Sequence, residues 1–239
     1  MHEQLTWFSF IPGLKDVPSY MITYPLTGAL LILLTFLVLR TLKRRNYPEV
    51  PDEGFTLFSL FDIIYEALYN FTASVIPDEP EKYLPLIGTL FILIFMSNLW
   101  GVIPGMMPPT DTLNTNAAMA VTVFVAYNYY GFKAHGIKYI KHFMGPIWWL
   151  APIMLVVELI SNFVRPVSLS LRLFANMLGD HTALGIFSHL LPVIVPIFFM
   201  ILGIFVSFIQ ALVFSILSAI YIALAVAHEE EEKHEAADL

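Results

Sequence analysis

The sequence predicts an all-α polytopic membrane protein with about five membrane-crossing helices, one interfacial amphipathic helix, and a last pair of helices forming a long, strongly tilted hairpin. Three observations carry this. Apolar side chains make up 58% of the 239 residues, and the mean hydropathy is +0.73, which does not suit a soluble domain. Charged residues are 13%, about half of the ~25% that solvates an ordinary globular surface. The basic residues cluster between apolar runs, as they do in membrane proteins oriented by their cytoplasmic loops. The chain has no cysteine, which excludes disulfide scaffolds, thiol nucleophiles and cysteine-ligated metals and leaves helix packing to hold the fold. The net charge of −7 reflects an acidic tail, 228–239, that carries Glu229, Glu230, Glu231, Glu232, Glu235 and Asp238.

Residues 20–39 form the first span, after an external N-terminus over 1–19. Arg40, Lys43, Arg44 and Arg45 close it and stay in the cytoplasm, with only Lys15 in front; no removable leader is expected. Residues 55–70 place Ser59, Asp62, Glu66 and Asn70 on one helical stripe. At that length and with two acids the segment is read as interfacial, and its acidic stripe favours a protein neighbour over lipid headgroups. Spans at 83–103 and 117–132 follow, joined by a Pro- and Asn-rich loop without Lys or Arg, hence external. Lys133, Lys138 and Lys141 mark the next loop as internal. Residues 146–191 then run apolar almost throughout, and a tight turn at Pro192 to Pro196 leads into a final helix over 193–227. Pro152 and Pro166 can kink the first of these but lack the neighbours needed to reverse it. About 45 helical residues would measure ~65 Å against a ~30 Å hydrocarbon core, so this helix must tilt or bend.

Within that run Glu158, Arg165 and Arg172 recur every seven residues, within about 40° of one face, and Asn162 and Asn176 lie near the same stripe. Charges at membrane depth cost on the order of 3 kcal/mol each and need partners or water. Arg165 is expected to pair with Glu158 or to snorkel to the inner interface. Arg172 has no acid within one turn, so its counter-charge is expected on another chain. Asp180 and His181 put a carboxyl beside an imidazole, a pair suited to proton relay, or to a structural hydrogen bond near the outer interface. His189 reads as interfacial. The zincin-like start at His228 lacks its second histidine, no phosphate-binding glycine loop is present, and the sequon at Asn70 falls on the cytoplasmic side. No metal site, cofactor or nucleic-acid partner is implied.

The stretch from Arg165 to Met177, with Arg172, Asn176 and the Pro166-Val-Ser168 segment, closely resembles subunit a of F-type (rotary) ATP synthases, as do Gln210-Ala-Leu-Val-Phe, Tyr221 and the Asn98-Leu-Trp-Gly span end. The resemblance covers most of the chain. It implies a non-catalytic, ion-translocating stator subunit of the membrane sector in an energy-coupling membrane, most simply a bacterial inner membrane, with the N-terminus outside and the C-terminus cytoplasmic. Implied partners are a ring of small proteolipid (c) subunits, b-type peripheral-stalk subunits and the lipid bilayer. It also implies that Arg172 is the essential residue facing the ring's carboxylates, that Glu158, Asp180, His181, Asn176 and Gln210 serve proton translocation, and that Arg165 and Ser168 support them. One departure is that many relatives pair a titratable residue at the His181 position with another on the last helix, where this chain has Gly203. Asp180 and His181 would then supply both members. The alternative is a self-contained proton-coupled secondary transporter using Glu158, Arg172, Asp180 and His181, which predicts inverted repeats in the hydropathy; none is visible.

Overall fold

The structure, a computed structural model, describes residues 17–44, 57–77, 79–103, 105–136, 139, 150–188 and 194–226. The N-terminal segment with Lys15, the turn around Pro192 with His189, and the acidic tail lie outside the described residues. So do most of the 137–149 loop and the side chain of His181. Among the described residues are six α-helices and no strand: α1 (Ser19–Arg44), α2 (Leu57–Val75), α3 (Pro80–Leu99), α4 (Leu113–His135), α5 (Ala151–Ser188) and α6 (Ile194–Val226). The chain is an all-α polytopic membrane protein.

Several bounds differ from the sequence reading. Helix α2 continues beyond Asn70 to Val75, stopped only as Pro77 approaches, because Leu68 and Thr72 are buried and Thr72 Oγ1 donates back to the Leu68 carbonyl at 2.7 Å. Helix α3 starts at Pro80 and tightens into a 3-10 turn at Trp100–Val102. Helix α4 has 23 residues and starts at Leu113, inside what the sequence suggests is loop. Its polar first turn belongs there because Asn116 is fully buried and donates to the Thr110 carbonyl at 2.8 Å. Among the described residues four helices, α1, α3, α5 and α6, are both long and apolar enough to cross a membrane by length and composition, against the five expected. The fifth, α4, is long enough, but Asn114, Asn116, Asn128, Tyr127, Tyr129 and Tyr130 lower its hydropathy.

The core lies where α3, α4 and α6 meet the inner face of α5. Helix α6 buries Ser207, Gln210, Ala211, Phe214, Ser215, Ser218, Ala219 and Ile222, a run at three- and four-residue spacing that forms one stripe. Most of that stripe is small, which lets helix backbones approach where no hydrophobic effect separates helix from lipid. Ile87, Phe91 and Ile94 of α3 fill the facing side, and Phe208 packs edge-on against Phe91 and Phe95, with centroids 5.7 and 6.0 Å away. The opposite faces of α5 and α6 leave Val157, Phe163, Val167, Ile201 and Phe205 more than half exposed, an apolar surface that water would not tolerate.

Helices α5 and α6 run antiparallel. Phe187 stacks on Phe199 at 5.8 Å, Asn176 hydrogen-bonds Gln210, and Arg165 lies over Tyr221, so contacts step back along α6 as they advance along α5. The 38 and 33 residues of the two helices measure about 57 and 50 Å, and neither fits upright in a ~30 Å core. Helix α1 stands apart, with only 11% of its apolar window buried. It is tied to the bundle by Trp100 Nε1, which donates to Thr27 Oγ1 at 2.8 Å.

Ala219 has no exposed surface on the α6 stripe. Replacing it with Leu should cost about 1–3 kcal/mol through overpacking, read as a lower midpoint in thermal unfolding of the detergent-solubilised protein, whereas Phe205→Leu on the exposed face should leave the midpoint unchanged.

Candidate functional site

Proline at position 166 ought to break α5, since it has no N–H for the carbonyl of residue 162. The helix nevertheless runs unbroken through Pro166. The orphaned oxygen is taken by α4: the Tyr127 hydroxyl lies 3.0 Å from the Asn162 carbonyl oxygen and also reaches Asn162 Oδ1, with one proton to give to the two. Tyr127 is 1% exposed and Asn162 6%, so no solvent could satisfy that carbonyl instead. Asn162 Nδ2 donates to Asn128 Oδ1 at 3.4 Å, and the Tyr139 hydroxyl donates to the same oxygen at 3.3 Å. The Tyr139 ring rests on Gly131, where an added Cβ would come within 2.5 Å of it. Burial pushes the Tyr139 phenol above its ordinary range, opposed by the nearby Arg165 charge.

Arg165 closes this polar cluster. Its Nη2 lies 3.9 Å from Glu158 Oε1, and its guanidinium sits 5.3 Å from the Tyr221 ring centroid and 5.9 Å from that of Tyr127. Two aromatic faces and one carboxylate thus hold a single cation, an arrangement that suits the planar, delocalised guanidinium.

Arg172 is held differently. It lies two turns further along α5 and is exposed, beside the exposed Ser168, Leu171 and Ala175, while Leu169, Leu173 and Met177 on the opposite side are buried. Among the described residues no acid forms an ion pair with it. One turn on, Asn176 Nδ2 donates to Gln210 Oε1, and the buried Gln210 Nε2 has no protein acceptor among the described residues.

Beyond Arg172 lies a cavity of about 290 Å³ whose lining is mostly apolar, with a few polar groups set into it. It is bordered by Asn98 and Gly101 of the α3 end, Met177 and Asp180 of α5, and Gly203 and Ser207 of α6. Gly203, where the sequence reading finds a titratable partner missing, therefore borders the same space as Asp180. An added Cβ there would meet Val102 only at ordinary contact distance, 3.5 Å. Along α5 the Glu158 level is about 21 Å from Arg172 and Asp180 about 12 Å the other way.

Of the residues singled out from sequence, the structure brings together Glu158 with Arg165, Asn176 with Gln210, and Asp180 with the position of Gly203. Arg172 and Ser168 stand on the outward face, with neither polar group. Sequence reasoning missed Tyr127 and Asn128, which lie 35 and 34 residues before their α5 partner Asn162, and Tyr139, which reaches α5 only through Asn128; the one available signal was a proline in a helix lacking a donor.

Comparison with known proteins follows the same lines. The family model described as ATP synthase A chain matches residues 21–223. The chain is 38% identical to ATP synthase subunit a of Bdellovibrio bacteriovorus over 93% of this chain and 98% of that one. It is 43% identical to ATP synthase subunit a 1 of Syntrophotalea carbinolica over 93% and 92% of the two chains, and 43% identical to the Geobacter sulfurreducens protein over 80% and 82%.

The carbonyl rescue can be measured as a coupling. Tyr127→Phe should cost about 1–3 kcal/mol by orphaning a buried acceptor. In a Pro166→Ala background, where residue 166 regains its N–H, the same change should cost distinctly less, measured as a double-mutant cycle of unfolding in detergent.

Proposed function

The chain belongs to the ATP synthase A chain family, and on that premise we propose that it is the stator subunit that guides protons through the membrane sector by two offset half-channels, one open to each side. The observation that carries this reading is the placing of Arg172: outward on an apolar face, with no acid paired to it among the described residues, and between the Glu158–Arg165 pair and the cavity bordered by Asp180 on one unbroken helix.

The physical logic is that of a barrier. A proton falling through 100 mV releases about 2.3 kcal/mol, which rotation captures only if no direct path joins the two half-channels. Arg172 would stand between them. Its guanidinium stays charged, with a pKa above ~12, so it does not pass a proton on. It would attract the deprotonated carboxylate of each passing ring subunit and hold off the protonated one. Glu158, with Arg165 beside it, would belong to the half-channel on the cytoplasmic side. Asp180, together with His181, would serve the other side through the cavity that Gly203 leaves open. Asn176 and Gln210 would steady the stretch next to Arg172, with the buried Gln210 Nε2 available to an internal water, while Ser168 would lie against the ring.

The exposed faces of α5 and α6 would then be covered by the ring of small proteolipid subunits and by lipid, with b-type peripheral-stalk subunits holding the assembly against torque. Counting α4 as a crossing gives five and so puts the termini on opposite sides; with the basic cluster Arg40, Lys43, Arg44 and Arg45 kept inside, the N-terminus would lie outside and the acidic C-terminus in the cytoplasm, in a bacterial plasma membrane.

Two tests bear on this. Arg172→Ala should abolish ATP synthesis and proton-coupled hydrolysis while the complex still assembles. Arg172→Lys should be nearly as damaging, since it keeps the charge but loses the fork and can deprotonate when desolvated; normal growth of Arg172→Ala cells on a non-fermentable carbon source would overturn the role. In a chain without native cysteines, a cysteine at 158 should label with a small water-soluble thiol reagent from the inside, and cysteines at 180 and 181 from the outside. Labelling from the opposite sides would reverse the assignment.

A further inference from the structure

Arg165 is held in an aromatic corner. The rings of Tyr127 and Tyr221 meet at 57° with their centroids 6.1 Å apart. The guanidinium lies 5.9 and 5.3 Å from those centroids, inside the ~6 Å range in which a ring face attracts a cation. Its approach to Glu158 stops at 3.9 Å. A carboxylate free to close on a guanidinium draws it to about 2.7–2.9 Å, commonly through two parallel hydrogen bonds. Glu158 and Arg165 are therefore an ion pair without a hydrogen bond.

That gap has a chemical consequence. The side chains of Arg165 and Glu158 are 22% and 36% exposed, so water screens the pair only in part and their attraction still depends on distance. A guanidinium seated bidentately on Glu158 would hold the carboxylate in its charged form, and a site that must take up a proton and release it again would be lost. Held at a distance, the carboxylate keeps its oxygens open to water and to a proton. The other titratable groups that face the pair are Tyr127 from α4, Tyr139 ahead of α5 and Tyr221 from α6. All three are phenols, uncharged near neutral pH, so they act on Arg165 through their rings and do not compete for the proton. Tyr127 is also committed to Asn162 through its hydroxyl, whereas the described contacts of Tyr221 are made by its ring.

We infer that Tyr221, together with Tyr127, is a positioning residue for proton transfer at Glu158: the two rings draw Arg165 aside and keep the carboxylate from being locked in a permanent ion pair. The inference rests on the reading of Glu158 as the proton-accepting group of the inner half-channel, and it adds the device that keeps that group able to titrate.

The test is the pH profile of ATP-driven proton pumping by the intact complex in inverted membrane vesicles, normalised to the amount of assembled complex. Pumping draws protons from the cytoplasmic side, so it fails at the alkaline end once the inner site no longer takes them up. Tyr221→Leu removes the ring face; it should let Arg165 close on Glu158 and move that alkaline limit about one pH unit towards acid, the size of a tenfold change in proton affinity. Tyr221→Met, which refills the space with a flexible side chain, should do the same, and Tyr221→Phe should restore the original limit. In an Arg165→Gln background Tyr221→Leu should add no shift. A limit left in place by both Leu and Met, a shift towards alkaline pH, or a shift that persists without Arg165 would overturn the inference. Glu158→Gln separates the two levels of the argument. A profile unchanged by Glu158→Gln would remove Glu158 from the proton path and the inference with it, whereas a changed Glu158→Gln profile beside an unmoved Tyr221→Leu profile would overturn the inference alone.

Discussion

The unbroken course of α5 depends on one contact: the Tyr127 hydroxyl set against both the carbonyl and the Oδ1 of Asn162. Without a donor from α4, Pro166 would leave a bare acceptor in an apolar interior, and α5 would kink or end there. With it, a single helix carries Glu158, Arg165, Arg172, Asn176 and Asp180 at fixed spacing from Ala151 to Ser188. The same contact locks α4 against α5, with Phe124 stacked on Phe163 at 5.5 Å. The small-residue stripe of α6 then packs against this frame in antiparallel register.

The two arginines of α5 show what that frame accomplishes. Seven residues apart on one face, they meet opposite surroundings because α4 and α6 cover one and not the other. Arg165 is clasped by Glu158, Tyr127 and Tyr221, so its charge is largely compensated within the chain. Arg172 looks outward from an apolar surface, where an uncompensated charge is costly unless a partner or water meets it. In the proposed function that cost is the working element, since a charge that no acid among the described residues pairs with is available to each ring carboxylate in turn.

Much of this was legible in the sequence. The heptad spacing gave the charged stripe, the pairing of Arg165 with Glu158 followed from distance along a helix, and the lack of turn residues around Pro166 predicted one helix where a hydropathy reading alone would divide it. What was not legible depends on contacts between distant segments. The aromatic and amide groups of α4 looked like an unremarkable polar span, and its first turn looked like loop, because Asn116 and Thr110 reveal their partners only when folded. Helix α2 was read too short for a similar reason: its last turn is fixed by burial of Thr72, not by periodicity. The closeness of Asp180 to Gly203 likewise required the antiparallel register of α5 and α6, which sequence spacing does not supply.

The central claim is that Arg172 separates two proton paths that meet only through rotation. It is tested most directly by proton flux through membrane vesicles in which the rotor ring has been cross-linked to this chain and cannot turn. With Arg172 in place, an imposed pH gradient should decay no faster than in vesicles lacking the complex, while the locked Arg172→Ala complex should leak. Rapid decay through the locked complex that retains Arg172 would mean that the two polar regions of α5 are joined without the ring, and would contradict the account.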